Sequence, residues 1–354
     1  MKIKKLQLKN VKCFEEYILD FTSDNEILNH AVLVGRNGTG KSTILKTIAE
    51  LLVKMHAWRD RELMNIMKWN YFSDKDIYWD KDYLEVYVEF KLDNDEAEKI
   101  GREEFKVKYR YWKTESNRRE AFYYPTKDKN EKRKYKELFY GFRELVQSGK
   151  ALYFDAYRYM SSENPLGPNV QETAKSYYSL LQSNFDIYGK TTKRDLELKQ
   201  WIINIDYMRL KKASNRYEVL YNHLVRAFDL LLHPLKFECI NEEGEILFYD
   251  EVNKQSIAVD LLSDGFKSIF QIIIAVMRML FENSNEDKLF YLNSGIVLID
   301  EIDCHIHPRW QKSIMPSMTE LFPNCQFIVT THSPYIIESV QDYEIKRIGD
   351  KPIV

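Results

Sequence analysis

Cysteines are scarce in this chain, and apolar runs long enough to span a membrane are absent. The four cysteines are Cys13, Cys239, Cys304 and Cys325. Their spacing lacks the pairing of a disulfide framework, which indicates a reducing compartment, and we expect a cytoplasmic protein. The best membrane candidate, Ile269 to Phe281, is short and is interrupted by Gln271 and Arg278, so no membrane partner is expected. The basic N-terminus has no continuous apolar stretch before Phe14 and does not resemble a secretory signal.

A strong net charge is also missing. The formal charge is −2, so the whole molecule is not an obvious nucleic-acid binder. Acidic residues dominate Asp74 to Glu98, and basic residues dominate Lys99 to Lys150. The basic, aromatic-rich stretch from Lys106 to Tyr124 keeps nucleic acid open as a partner, whereas a solvated strand face with cross-strand salt bridges explains it equally well.

A glycine-rich loop directly follows the apolar run from Ala31 to Val34. Its residues are Gly35, Arg36, Asn37, Gly38, Thr39, Gly40, Lys41 and Ser42. This spacing turns backbone N–H groups towards a β-phosphate at the start of the next helix, which predicts a nucleoside triphosphate ligand. We expect Lys41 to reach the β- and γ-phosphates, Ser42 to bind Mg²⁺ and Thr43 to complete the site. A plain strand-to-helix turn is the alternative.

An apolar run followed by two carboxylates lies far downstream. Gly295 to Ile299 is typical of a buried central strand, and Asp300 and Glu301 follow it directly. Asp300 is the candidate Mg²⁺ partner, and Glu301 is placed to polarise a water molecule that attacks the γ-phosphate. The alternative is a buried strand that ends in solvent-exposed acids.

A second predicted strand, Gln326 to Thr331, leads to His332. This histidine can hydrogen-bond to a γ-phosphate or to the attacking water. Ser333 and Pro334 are suited to the N-cap and the first position of a following helix. The strand, the histidine and the helix start together favour a functional histidine over a structural one.

Another capped helix start lies at Leu262, Ser263, Asp264 and Gly265, ahead of an apolar helix that continues to Phe281. Ser263 and Asp264 are good N-cap types, and Gly265 permits close backbone approach. An ordinary capped core helix is the alternative. Farther on, Asp303, Cys304, His305 and His307 offer metal-ligand types, but their spacing lacks a second ligand cluster.

The remaining pattern predicts strands first and helices later. Residues 1–22 alternate as a strand pair with a turn near Glu15 and Glu16, and Tyr83 to Leu92 alternates as a half-buried strand. Further strands are expected at Lys106 to Lys113 and at Ala151 to Tyr157. Apolar stripes with helical spacing then run from Leu198 to Met208 and from Leu220 to Leu231.

Taken in order, these motifs resemble an ABC-type ATPase head of the RecF/SMC/OLD-like branch, in the group of ATP-binding proteins found in bacterial antiphage systems such as retron- and Septu-associated ATPases. By this resemblance Gly35 to Ser42 is the Walker A loop, and Leu262 to Gly265 is the signature. Asp300 and Glu301 form Walker B, His305 to Pro308 matches the D-loop region, and His332 is the switch histidine.

Three positions depart from the wider family or stay open. The signature reads Ser-Asp-Gly-Phe where the wider family has Ser-Gly-Gly-Gln. No glutamine loop is clear, and Asp155, Tyr157 and Arg158, where such a loop would begin, are left unassigned. Lys12 occupies the place of a basic residue that contacts nucleotide in relatives.

The resemblance implies an α/β P-loop NTPase fold with a mixed sheet, helices on both faces, an antiparallel β subdomain and an inserted helical lobe. The single domain, 1–354, would comprise N-terminal strands and P-loop (1–57), an antiparallel β and basic region (58–160), a helical insertion (161–235) and a lobe with signature, Walker B and switch histidine (236–354).

The resemblance further implies a head-to-tail dimer that binds ATP and Mg²⁺ and hydrolyses ATP, with Lys41, Glu301 and His332 as its catalytic residues. As an antiphage ATPase it would control a separate effector protein such as a nuclease or toxin, because little sequence follows His332. A DNA repair or maintenance ATPase and an ATP-locked scaffold with slow turnover are the alternatives. A transporter ATPase is the least favoured.

Overall fold

A computed structural model describes residues 1–57, 72–113, 120–123, 138–142, 149–156, 158, 167–168, 194–284 and 289–349. The strands are β1 (Lys2–Val11), β2 (Phe14–Asp20), β3 (Thr22–Ser23), β4 (Glu26–Ile27), β5 (His30–Val34), β6 (Tyr83–Lys91), β7 (Glu104–Trp112), β8 (Glu120–Tyr123), β9 (Ala151–Phe154), β10 (Leu235–Ile240), β11 (Ile246–Asp250), β12 (Gln255–Ala258), β13 (Gly295–Ile299), β14 (Cys325–Thr330) and β15 (Ile345–Arg347). The α-helices are α1 (Lys41–Ala57), α2 (Asn94–Ile100), α3 (Arg194–Leu210), α4 (Asn215–Leu231), α5 (Asp264–Glu282), α6 (Pro308–Leu321) and α7 (Pro334–Ile337).

A five-stranded parallel sheet carries the predicted site. Its order is β15-β5-β14-β13-β9, and every neighbouring pair within it is parallel. All residues of β5, β13 and β14 are buried. Strands covered on both faces have continuous apolar sequences, so the predicted strands after which Asp300 and His332 follow are confirmed.

The two faces of this sheet belong to two different cores. Ala31, Leu33 and Ile328 point into a core shared with α1 and the antiparallel strands. Val32 and Val329 point into the other core, which contains α3, α4, α5 and α6. Because side chains alternate along a strand, each central strand stabilises both layers.

A second five-stranded sheet is antiparallel and has the order β2-β1-β6-β7-β8. The predicted strand pair, the half-buried strand and its neighbour are confirmed by β1, β2, β6 and β7. The predicted turn at Glu15 and Glu16 is wrong. The last pairing of β1 with β2 joins Val11 to Phe14, so the chain reverses over Lys12 and the residue after it. Lys12 adopts a left-handed φ of 48°, which closes this short turn.

The buried side chain of Gln326 connects the two sheets. Its Oε1 accepts the Ile3 N–H at 2.6 Å, and its Nε2 donates to the Ile3 carbonyl oxygen at 2.8 Å. The β1–β6 register shifts next to this point, between Ile3 and Lys5. The Gln326 side chain therefore provides a partner for both polar groups of the Ile3 backbone at this irregularity.

Basic side chains on β7 are paired with acidic side chains on β6. Lys108 and Arg110 both contact Glu85, at 2.7 and 2.5 Å, and Lys106 lies 3.6 Å from Glu89. The cross-strand salt-bridge interpretation is confirmed for these described residues. Each of these three cations contacts a carboxylate, which weakens the argument for a nucleic-acid surface at this sheet.

The two predicted helical stripes lie on α3 and α4, which pack on α5 in the same core. The subdivision of the chain, including the insertion at 161–235, stays a prediction, since much of that segment lies outside the described residues. In the described part of the chain, no helix is long and apolar enough to cross a membrane.

Candidate nucleotide-binding site

The glycine-rich loop leads from the end of β5 into the first turn of α1. Gly38 and Gly40 have φ values of 81° and 99°, which L-residues with a side chain rarely adopt. A Cβ atom on Gly40 would lie 2.4 Å from the ring of Phe14. Arg36 and Asn37 are exposed at the tip, so the loop backbone is accessible from solvent.

Lys41, the first residue of α1, bends back over this loop. Its ammonium donates to the carbonyl oxygens of Gly35 at 2.8 Å and Arg36 at 3.0 Å. Burial lowers the pKa of Lys41, and the nearby charge of Asp300 opposes that shift. The Lys41 ammonium is thus held among the loop carbonyls, and Ser42 and Thr43 follow Lys41 in the first turn of α1.

Asp300 lies at the carboxyl end of β13, where it meets the loop helix. Ser42 Oγ donates to Asp300 Oδ1 at 2.9 Å, and Thr330 Oγ1 donates to the same oxygen at 2.6 Å. Asp300 is only 3 % exposed. A hydroxyl and a carboxylate are hard oxygen donors of the kind that Mg²⁺ prefers, so this pair fits the predicted metal site.

Glu301 is exposed beside this pair and has a left-handed φ of 47°. Its N–H donates to Thr330 Oγ1 at 2.7 Å. For a residue other than glycine this conformation costs about 1 kcal/mol or more, and such strain is concentrated at functional sites. The next residue, Ile302, is buried, so the chain turns here to direct the Glu301 side chain away from the core.

His332 is exposed between two buried and anchored neighbours. Thr331 Oγ1 donates to Asp303 Oδ1 at 2.6 Å and accepts the Ser333 N–H at 2.9 Å. Ser333 caps α7 by accepting the N–H of Tyr335, and Pro334 is the first helical residue. The predicted cap is therefore confirmed, and the histidine backbone is fixed from both sides while its ring faces solvent.

The segment predicted as the signature begins α5. Ser263 is the N-cap residue, but its side chain makes no capping hydrogen bond, and both Ser263 and Asp264 are exposed. Gly265 is buried, and a Cβ atom on it would lie 2.3 Å from the carbonyl oxygen of His305. The close approach that glycine permits is thus made to the chain's own His305 loop.

Arg158 is a member of the site that the motifs did not assign. Its guanidinium donates to the carbonyl oxygens of Asp155, Asp300 and Glu301, at 2.9, 2.7 and 2.9 Å. Its Nε also donates to Ser268 Oγ on α5 at 2.6 Å. The only signal for Arg158 in the sequence is an arginine that follows a predicted strand. The neighbouring unassigned residue Tyr157 lies outside the described residues.

An open cavity of about 1070 Å³ begins at the tip of the glycine-rich loop. Gly38 and Thr39 form one side, and the aromatic rings of Phe14, Tyr78 and Tyr83 contribute to the lining. The Lys12 ammonium lies 3.0 Å from Asp76 Oδ1 nearby. The cavity is large enough for the nucleoside part of a nucleotide whose phosphates lie on the loop.

The side chains of the alternative metal site, Asp303, Cys304, His305 and His307, are not grouped around a common point. His307 caps α6 by accepting the Arg309 N–H on Nδ1, and Asp303 accepts from Thr331. Across the described residues, no group of three or more histidine, cysteine or acidic side chains is arranged to hold a metal ion. Asp155, also left unassigned, pairs with Lys46 on α1 at 3.3 Å.

Residues 31–338 match the family described as "AAA domain, putative AbiEii toxin, Type IV TA system". The chain belongs to this family. The matched range begins within β5 and extends beyond α7, so it includes the glycine-rich loop, the start of α5, Asp300, Glu301 and His332.

Curated relatives of this AAA domain chain include proteins from retron and Septu systems. It is 26% identical to "Retron Ec83 probable ATPase" of Escherichia coli over 98% of this chain and 71% of the relative. It is 25% identical to "Retron Vc95 probable ATPase" of Vibrio cholerae, over 98% and 74%. "Septu protein PtuA" of Bacillus mycoides is 33% identical over 45% of this chain and 24% of its own length.

Solved Smc head domains share the fold. A head bound to the C-winged helix domain of ScpA has a TM-score of 0.55 at 17% identity and covers 96% of this chain and 92% of that chain. A head with an extended coiled coil, bound to the ScpA C-terminal domain from Pyrococcus furiosus, also gives a TM-score of 0.55 at 17% identity, covering 96% and 91%. The predicted α/β head fold, which these Smc heads share, is confirmed, and so is the expected similarity to retron and Septu ATPases.

Proposed function

We propose that this AAA domain protein binds and hydrolyses ATP with Mg²⁺. The observation that carries the proposal is the meeting of Ser42 and Asp300 at 2.9 Å beside the loop that Lys41 closes. ATP would lie with its phosphates on Gly35 to Thr43 and its nucleoside in the adjoining cavity. Ser42 and Asp300 would hold Mg²⁺, which supplies charge neutralisation on the phosphates when it is bound.

Glu301 and His332 are the residues proposed to act on the attacking water. Both are exposed, and each stands at the carboxyl end of one of two adjacent parallel strands, β13 and β14. The Glu301 carboxylate would polarise the water, and the His332 ring would hydrogen-bond to the γ-phosphate. Lys41 would leave the loop carbonyls for the phosphates, which are stronger acceptors for an ammonium.

A head-to-tail dimer is proposed because the exposed N-terminus of α5 could bind an anion that belongs to another protomer. The Ser263 side chain makes no capping hydrogen bond to its own helix, and Ser263 and Asp264 are both exposed. In such a dimer, Ser263, Asp264 and Gly265 of one protomer would meet the γ-phosphate held by the other. ATP would then stabilise the dimer, and hydrolysis would loosen it.

The biological role proposed is that of a cytoplasmic sensor or regulatory ATPase in bacterial antiphage defence, acting on a separate effector such as a nuclease or toxin. It is supported by the retron and Septu relatives. A DNA maintenance role receives less support, because Lys106, Lys108 and Arg110 are paired with acidic residues.

Glu301→Gln tests the enzymatic proposal. We expect phosphate release to fall at least a hundredfold, because the general base is lost, while ATP-dependent dimers persist in mass measurements. Glu320→Gln, at an exposed position on α6, is the matched control and should retain normal turnover. Near-normal turnover by Glu301→Gln, or ATP binding without any change in mass, would contradict the proposal.

A further inference from the structure

We propose that Arg158 is a positioning residue that links the Asp300–Glu301 strand end to α5 of the same protomer. Through this link, the state of a protomer's own nucleotide site would set the position of the anion site that it offers to its partner. The inference rests on the proposed dimer and adds to it a residue that transmits between its two sites.

The geometry of the Arg158 guanidinium carries this inference. Two of its nitrogen atoms, Nη1 and Nη2, donate to the backbone carbonyls of Asp300 at 2.7 Å and Glu301 at 2.9 Å. A third nitrogen, Nε, donates to Ser268 Oγ at 2.6 Å. A planar guanidinium fixes the angles between its donors, so these contacts hold two separate elements at one mutual distance.

The contacts leave the chemistry of the strand end available. Arg158 occupies main-chain oxygens, so the Asp300 carboxylate remains with Ser42 and Thr330, and the Glu301 carboxylate remains exposed. Arg158 therefore follows the backbone position of both residues and forms no ion pair with either carboxylate. Its own chain segment is included through the Asp155 carbonyl, at 2.9 Å.

A second contact connects the same two elements nearer the start of α5. Gly265 packs so closely on the His305 backbone that a Cβ atom would lie 2.3 Å from the His305 oxygen. Ser268 and Gly265 are both buried and are three residues apart on α5, so they lie on one helix face. A displacement of residues 300–305 must then displace the start of α5, because packed elements move as units.

Ser268→Ala is the most direct test, since it removes the contact to α5 and leaves the carbonyl contacts of Arg158 in place. We expect kcat to fall about ten- to hundredfold through misplacement of the signature, with the affinity for a fluorescent ATP analogue within about threefold of wild type. Arg158→Lys, which keeps the charge but loses the fork, should behave similarly. Arg226→Lys, at an exposed arginine on α4, is the matched control.

Mixing protomers separates a signature defect from a defect in a protomer's own site. In a mixed dimer of Ser268→Ala with excess Glu301→Gln, the Ser268→Ala protomer supplies an intact Glu301. The Glu301→Gln protomer supplies an intact signature to that same site. Turnover per Ser268→Ala protomer should therefore recover. Ser263→Arg mixed with Glu301→Gln is the reference for the dimer itself. If turnover recovers with Ser263→Arg but not with Ser268→Ala, the proposed role of Arg158 is overturned and the proposed dimer is kept. Failure of both mixtures would overturn the proposed dimer as well.

Discussion

Thr330 and Asp300 share a hydrogen bond of 2.6 Å in which the Thr330 hydroxyl is the donor. The same hydroxyl oxygen accepts the Glu301 N–H at 2.7 Å. A single side chain on β14 therefore orients the carboxylate proposed for Mg²⁺ and holds the backbone of the proposed general base. This contact also joins the two strands whose ends form the site.

Thr330→Val, which keeps the shape and removes the hydroxyl, should lower turnover about ten- to hundredfold. The Glu301 N–H would lose its acceptor, and the Asp300 carboxylate would lose one of the two hydroxyl donors that orient it. Affinity for ATP without Mg²⁺ should change little, because the loop is untouched. Thr22→Val, at a partly exposed threonine beyond β2, is the control. Steady-state kinetics and analogue binding measure both effects, and unchanged kcat would refute this role of Thr330.

Gly40→Ala should abolish nucleotide binding. The residue has a φ of 99°, and its new Cβ atom would clash at 2.4 Å with the Phe14 ring, so the loop must move. Gly101→Ala makes a matched comparison, because Gly101 has a φ of 73° but no atom within 4 Å of a built Cβ. That variant should lose about 1–2 kcal/mol of stability and bind normally. Equal binding by the two variants, measured by calorimetry, would contradict the clash.

Lys199→Met should destabilise the fold by about 3–5 kcal/mol. The Lys199 side chain is fully buried and pairs with Asp260, just ahead of the signature, so the variant leaves a shielded carboxylate without its ammonium. The exposed pair of Arg226 and Glu320 gives the contrast, and Arg226→Met should cost less than about 1 kcal/mol. Urea unfolding followed by circular dichroism measures both, and equal losses would argue against a buried ion pair.

Stability should fall in mild acid because of His223. Burial lowers the pKa of this side chain to about 4, below its ordinary value of 6.5, and its Nε2 contacts the Leu321 carbonyl oxygen at 3.2 Å. Between these pH values the unfolded chain binds the proton and the folded chain does not, so unfolding becomes easier as pH decreases from about 6.5 towards 4.

The His223 contribution should amount to about 1–3 kcal/mol across that interval. His223→Gln should therefore flatten the dependence of the unfolding midpoint on pH, whereas His305→Gln, at an exposed side chain, should preserve it. An unchanged slope in His223→Gln would show that other groups cause the acid sensitivity.

The strands and the order of the motifs were predictable because each leaves a local pattern. Continuous apolar runs marked β5, β13 and β14, and strict alternation marked β6. The residues that follow these strands could then be placed at one sheet edge, since parallel strands end together. The fold of the described residues agrees with these expectations, and the turn after β1 was misplaced by a few residues.

The linking residues were not predictable, because their roles depend on packing across long sequence separations. Arg158 meets Ser268, 110 residues away, and Gln326 meets Ile3, 323 residues away. Neither residue stands in a motif, and nothing local distinguishes Lys199 from a surface lysine. Cross-strand pairing of the β7 charges was predictable, but which acidic residue each cation meets depends on the β6 register.

The position of β5 in the parallel sheet has a consequence for biosynthesis. Its two neighbours are β14, at residues 325–330, and β15, at residues 345–347, so both are translated long after the loop that β5 carries. Until β14 leaves the ribosome, this strand has no partner in its sheet, and such non-local pairing is slow to form. If the proposed function holds, nucleotide would bind only after β14 has been synthesised and paired with β5, so ATP would select chains in which this sheet has formed.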